Sequence, residues 1–143
     1  MNWKLLAPLA ILGPLMGTLT VMGAFPEGVD RFAWCTVVLA SAFVVARRDP
    51  ARAVKHGAVI GFWNGATSTL VQALFVRQLV ANNPWIAARF EHAPHGFDMQ
   101  FFTYMLVPFI GVTGGGLTAL VAMLLRRALA SGQGRGKRRE TSS

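Results

Sequence analysis

Asn64, Ser68 and Gln72 recur at intervals of four in a stretch with no Asp, Glu, Lys or Arg. On a helix that spacing stacks the three side chains in one column about 12 Å long. A column of amide, hydroxyl and amide offers hydrogen-bond donors and acceptors to water, an ion or a small polar solute. The same groups can instead tie helices together inside a bilayer, Tyr104 being one possible partner, at about 0.6 kcal/mol per contact. A second cluster, Glu91, His92, His95 and Asp98, is made of residue types that ligate divalent metals. Its order, Glu-His-x-x-His-x-x-Asp, matches no zinc signature, and Pro94 interrupts any helix that would align it. No metal is therefore assigned. A single cysteine, Cys35, excludes an internal disulfide, a CxxC pair and a thiolate zinc site, and reads as a small apolar filler. GxGxxG, Walker A, HExxH and GxSxG motifs are absent, so no catalytic residue and no cofactor is assigned.

The elements that must position these residues follow from charge. Only 14 % of the 143 residues are charged, against about 25 % in a soluble domain, and 53 % are apolar. Charges are missing in four runs: Leu5–Phe25, Phe32–Ala46, His56–Val76 and Met99–Leu125. A spanning helix needs about 20 largely apolar residues. Three of the runs qualify directly. The second reaches only about 22 Å, with Arg31 and Arg47 placed to snorkel from its ends; a re-entrant or interfacial segment is the alternative. Lys4 before the first run could mark a cleaved leader, but the apolar stretch is longer than such leaders use.

Eleven of the fourteen Lys and Arg residues fall on one side of this arrangement, at the N-terminus, between runs two and three, and after run four. The positive-inside rule then places both termini in the cytoplasm. Arg31, Arg77 and Arg89 fall outside, Arg77 as a snorkelling residue near the end of helix three. Residues 132–143, rich in Gly, Ser and Arg, read as a disordered basic cytoplasmic tail able to attract anionic lipid.

Turn signals divide the runs. Pro26-Glu27-Gly28 turns the chain outside, Asp49-Pro50 ends helix two, and Asn82-Asn83-Pro84 ends helix three. Trp85–His92 predicts a short helix in the outer interface. Pro8, Pro14 and Pro108 predict kinks. Small residues repeat at helical spacing: Gly13 and Gly17, Gly57, Gly61 and Gly65, and Gly111 and Gly115 form GxxxG pairs that permit close backbone approach. Helix two has only Ala33, Thr36 and Ala40. The pattern predicts a tight bundle of helices one, three and four with helix two peripheral, or stripes that face another subunit.

The reading that results is an all-α integral membrane four-helix bundle with both termini cytoplasmic. It places helices at about 5–25, 31–47, 55–81 and 99–127 within one transmembrane domain over residues 1–131, in the cell membrane. The function expected is a non-enzymatic accessory subunit or a small passive permeation unit. The alternatives are a membrane enzyme acting on a lipid at the outer headgroup boundary, through Tyr104, Arg89, His92 or His95, and a phage-type pore-former. The expected partners are the lipid bilayer, anionic lipid at the tail, and a second copy or another membrane protein, but not nucleic acid.

Overall fold

Pro14 sets the first break. Its ring lacks an N–H and crowds the carbonyl four residues back, that of Ala10. In the computed structural model, which describes the backbone of residues 2–140 and the side chains of residues 2–131, α1 (Trp3–Ala10) ends at that carbonyl and α2 (Leu12–Val21) begins after a turn at Ile11. Gly28, at φ +84°, lies immediately before α3 (Val29–Arg48). Asp49 and a 3₁₀ turn at Pro50–Arg52 lead into α4 (Ala53–Leu74). Then come α5 (Val76–Asn82), α6 (Pro84–Phe90) and α7 (Met99–Glu140). The protein is all-helical, with no strand among the described residues.

Trp3–Val21, Val29–Arg48 and Met99–Ser131 are each long and apolar enough to cross a membrane. Pro50–Leu74 and Val76–Asn82 together would make a fourth span, but they are bent by 85°. The stretch read as one helix over 55–81 is thus two. No proline or glycine marks the break at Phe75. The side chains ending α5 reach back to α2. Asn82 Nδ2 donates to the Val21 carbonyl at 2.9 Å, and Asn83 Nδ2 donates to the carbonyls of Thr20 (2.9 Å) and Leu79 (2.8 Å). The last carbonyls of a helix lack partners within it; Asn82 supplies one to Val21, and Asn83 adds a further donor to the Thr20 carbonyl, which also accepts the Gly23 backbone N–H at 3.0 Å. Pro108, by contrast, lies inside α7 without dividing it.

The helices do not group as the small-residue stripes suggest. Helix one packs on α4 rather than also on α7, and α4 stands between them. A methyl group added at Gly17 would lie 2.7 Å from the Ser68 carbonyl oxygen, and one added at Gly13 would run into Asn64 and Thr67. On its other flank α4 meets α7: a methyl at Gly65 would lie 2.7 Å from the Ile110 carbonyl oxygen, and one at Gly115 would lie 2.8 Å from that of Ala58. Gly57 and Gly61 face Thr118, while Gly111 faces Phe62 and Ala66. Helix two is not peripheral. Its inward face is not Ala33, Thr36 and Ala40, of which Thr36 and Ala40 are exposed. Ser41, Ala42, Val45 and Ala46 are buried instead. Ala42, Val45 and Ala46 pack with Ala53 and Ala122, flanked by Leu5 and Leu9. This cluster closes the end of the molecule that carries Arg47, Arg48, Arg52 and Lys55, the basic end. Residues 132–143 are read from sequence as a disordered tail; the backbone of 132–140 instead continues α7, and 141–143 lie outside the described residues.

Candidate functional site

Beyond the alanine and valine cluster at the basic end, the space between α3, α4 and α7 is not filled. It forms a cavity of about 410 Å³, within the range of small-molecule sites. Three helix faces wall it. From α4 come Asn64, Ser68, Thr69 and Gln72, with Gly61 and Gly65 between them and α7. From α3 come Asp30, Trp34, Val37, Val38 and Ser41, at successive turns of one face. From α7 come Leu106, Ile110, Thr113, Leu117 and Thr118, with Thr103 further along. Thr20, Trp85 and Ile86 complete the lining. The α4 wall is polar, whereas the α3 and α7 walls are largely apolar.

The polar groups differ in what they have left to offer. Thr118, Thr69, Thr20 and Thr103 each donate to the carbonyl four residues back, at 2.7–2.9 Å, so those hydroxyls are satisfied within their own helices. Asn64, 3 % exposed, accepts the Gly13 backbone N–H on Oδ1 at 3.1 Å. That N–H lies in the first turn of α2, where intrahelical acceptors are missing. Asn64 is therefore a helix cap supplied from another helix, at the break that Pro14 causes. Gln72 Nε2 donates to Ser68 Oγ at 3.4 Å. Two groups remain open: Asp30 Oδ1 and Ser41 Oγ are buried and have no hydrogen-bond partner. Native proteins leave few such groups, and both of these residues line the cavity.

Asn64, Ser68 and Gln72 thus share one cavity wall. Asp30 and Ser41 were not singled out from sequence. Asp30 lies just before the uncharged run and reads there as a loop acid. The available signal was the spacing of Asp30, Trp34, Val37, Val38 and Ser41, which marks one face of a helix.

The other candidates do not converge. Tyr104 is exposed on α7. Arg89 lies 3.8 Å from Glu27 and places its guanidinium 5.0 Å over the Trp85 ring. Asp98 accepts the Phe101 backbone N–H at 3.0 Å, as an N-terminal cap of α7. Glu91, His92 and His95 are exposed, and no group of three or more His, Cys, Asp or Glu side chains assembles among the described residues. His56, at the start of the third uncharged run, is fully buried at the basic end. Its Nε2 accepts the Asn2 backbone N–H at 3.4 Å, and its Nδ1 stands 3.4 Å from Asp49 Oδ2. Cys35 is exposed.

Comparison with known proteins finds no matching family, no matching curated protein and no matching solved structure.

Proposed function

We propose that the chain is a four-helix integral membrane protein of the cell membrane, with both termini cytoplasmic, which takes a small solute into the cavity between α3, α4 and α7. Its role is non-enzymatic: a solute-binding accessory subunit or a unit of passive permeation. The observation that carries this is the α4 wall. Asn64, Ser68, Thr69 and Gln72 face a cavity, while Trp63, Leu70 and Leu74 on the same helix are exposed. In a bilayer, polar side chains turn toward protein or water, and apolar ones turn toward lipid. With the basic end on the cytoplasmic side, Asp30, Trp85 and Ile86 stand toward the outer leaflet. The Ala42–Val45–Ala46 cluster then closes the cytoplasmic end. The cavity is accordingly a binding pocket in this conformation, and permeation requires that cluster to open.

Cysteines placed one at a time at Ser41, Ser68, Gln72, Leu70 and Leu74, in a Cys35→Ser background, test the assignment. Water-soluble thiol reagents added from outside are expected to label positions 41, 68 and 72 and to spare 70 and 74. Protection of all three cavity positions would refute a solute-accessible cavity.

A further inference from the structure

Asp30 is the one charged side chain in the cavity lining, among the described residues. It forms no ion pair among them; the ion pair at this end joins Arg89 to Glu27. An acid in the first turn of a helix suits the helix dipole, which would explain Asp30 without any ligand. A carboxylate that serves as a cap accepts backbone N–H groups, however, and Asp30 Oδ1 is buried and accepts none. The residue as a whole is half-buried, and it is this one enclosed, unpartnered oxygen that a cation in the cavity would satisfy.

Three neighbours narrow the class of cation. Trp34 lies one turn along the same face, and indole is the ring over which organic cations are held most strongly. Trp85 already has the Arg89 guanidinium over its ring, while Trp34 has no cation over it among the described residues. Val37, Val38 and Leu106 extend the lining as apolar surface. Ser41, 1 % exposed with an unpartnered Oγ, stands about 16 Å from Asp30 along the helix axis. A lone carboxylate cannot build the oxygen shell that a divalent metal needs, nor does it match a second charge on the ligand.

From this we infer that the cavity's occupant is an elongated organic monocation. Its ammonium head is held by Asp30 and Trp34, its apolar body lies along Val37, Val38 and Leu106, and Ser41 is free to hydrogen-bond its far end. The inference rests on the cavity reading above and names the solute class for it.

Equilibrium dialysis of the full chain in lipid nanodiscs tests it, with empty nanodiscs subtracting partition into lipid. The probes are radiolabelled benzyltrimethylammonium and its neutral isostere neopentylbenzene. The cation is expected to bind saturably and at least about tenfold more tightly than the isostere. Asp30→Asn should remove that preference and leave neopentylbenzene binding unchanged. Equal binding of the two probes, or an Asp30→Asn variant that keeps the preference, overturns the inference while leaving a solute cavity in place. Absence of saturable binding by either probe also overturns it, and thiol labelling at positions 41, 68 and 72 then decides separately whether the cavity reading survives. Should Asp30→Asn not fold, the comparison of the two probes on the unaltered protein still decides.

Discussion

At the scale of the residue, one side chain can serve packing and cavity at once, and Asn64 does both. Its Oδ1 satisfies the Gly13 N–H of α2, while the residue also lines the cavity. A functional role cannot be read from a polar residue's type alone; it depends on which of its atoms are already engaged. The glycines show the same dependence on surroundings. Gly61 faces Gly114 and Thr118 at a separation that admits no side chain, whereas a methyl at Gly116 would meet nothing within 4 Å. Gly61→Leu should therefore force α4 and α7 apart and lower the melting temperature in detergent by several degrees or prevent folding. Gly116→Ala should be neutral or should stabilise the protein by up to about 1 kcal/mol, through helix propensity. Thermal denaturation followed by circular dichroism compares the two; similar losses for both would show that the α4–α7 contact is not the close one described.

At the scale of the element, breaks arise in two different ways. The break between α1 and α2 is covalent in origin and lies at Ile11, three residues before Pro14. The break between α4 and α5 falls at no proline or glycine, and Asn82 and Asn83 at the end of α5 bind the last carbonyls of α2. Removing both amides in an Asn82→Ala, Asn83→Ala protein should free α5 from α2. The expected readout is faster hydrogen exchange across Val76–Asn82, with the central amides of α4 unchanged. Unaltered exchange in α5 would show that something other than these asparagines holds the bend. The arrangement matters for the site, because α6 follows directly and carries Trp85 and Ile86 into the cavity lining.

For the whole molecule, the decisive property is an outer surface rich in large apolar side chains. Phe32 is 75 % exposed, Phe109 68 % and Phe101 64 %. No more than 33 % of any of the three apolar windows is buried within the chain. A surface of this kind in water would drive association, and in a bilayer it is covered by lipid. The protein should stay with the membrane through a carbonate wash and dissolve only in detergent. A reporter fused after Ser143 should remain cytoplasmic, and one inserted at Gly96, in the connection before α7, should be exported. Release by carbonate, or export of the C-terminal reporter, would defeat the proposed topology.

Composition and charge spacing alone were enough to set the helical class, the number and approximate position of the apolar runs, and the column of Asn64, Ser68 and Gln72. These depend on local periodicity and on how many charges a segment carries, which are properties of the chain in one dimension. The tertiary structure alone decided that α4 stands between helix one and α7, that helix two closes the basic end through Ala42, Val45 and Ala46, that α5 turns away at Phe75, and that Asp30 and Ser41 look into one cavity without partners. The physical reason is that small residues permit close approach on any helix face, but which neighbour comes close depends on where every other helix already lies. Whether a polar atom is satisfied likewise depends on groups as far away in sequence as Gly13 is from Asn64 or Thr20 from Asn83.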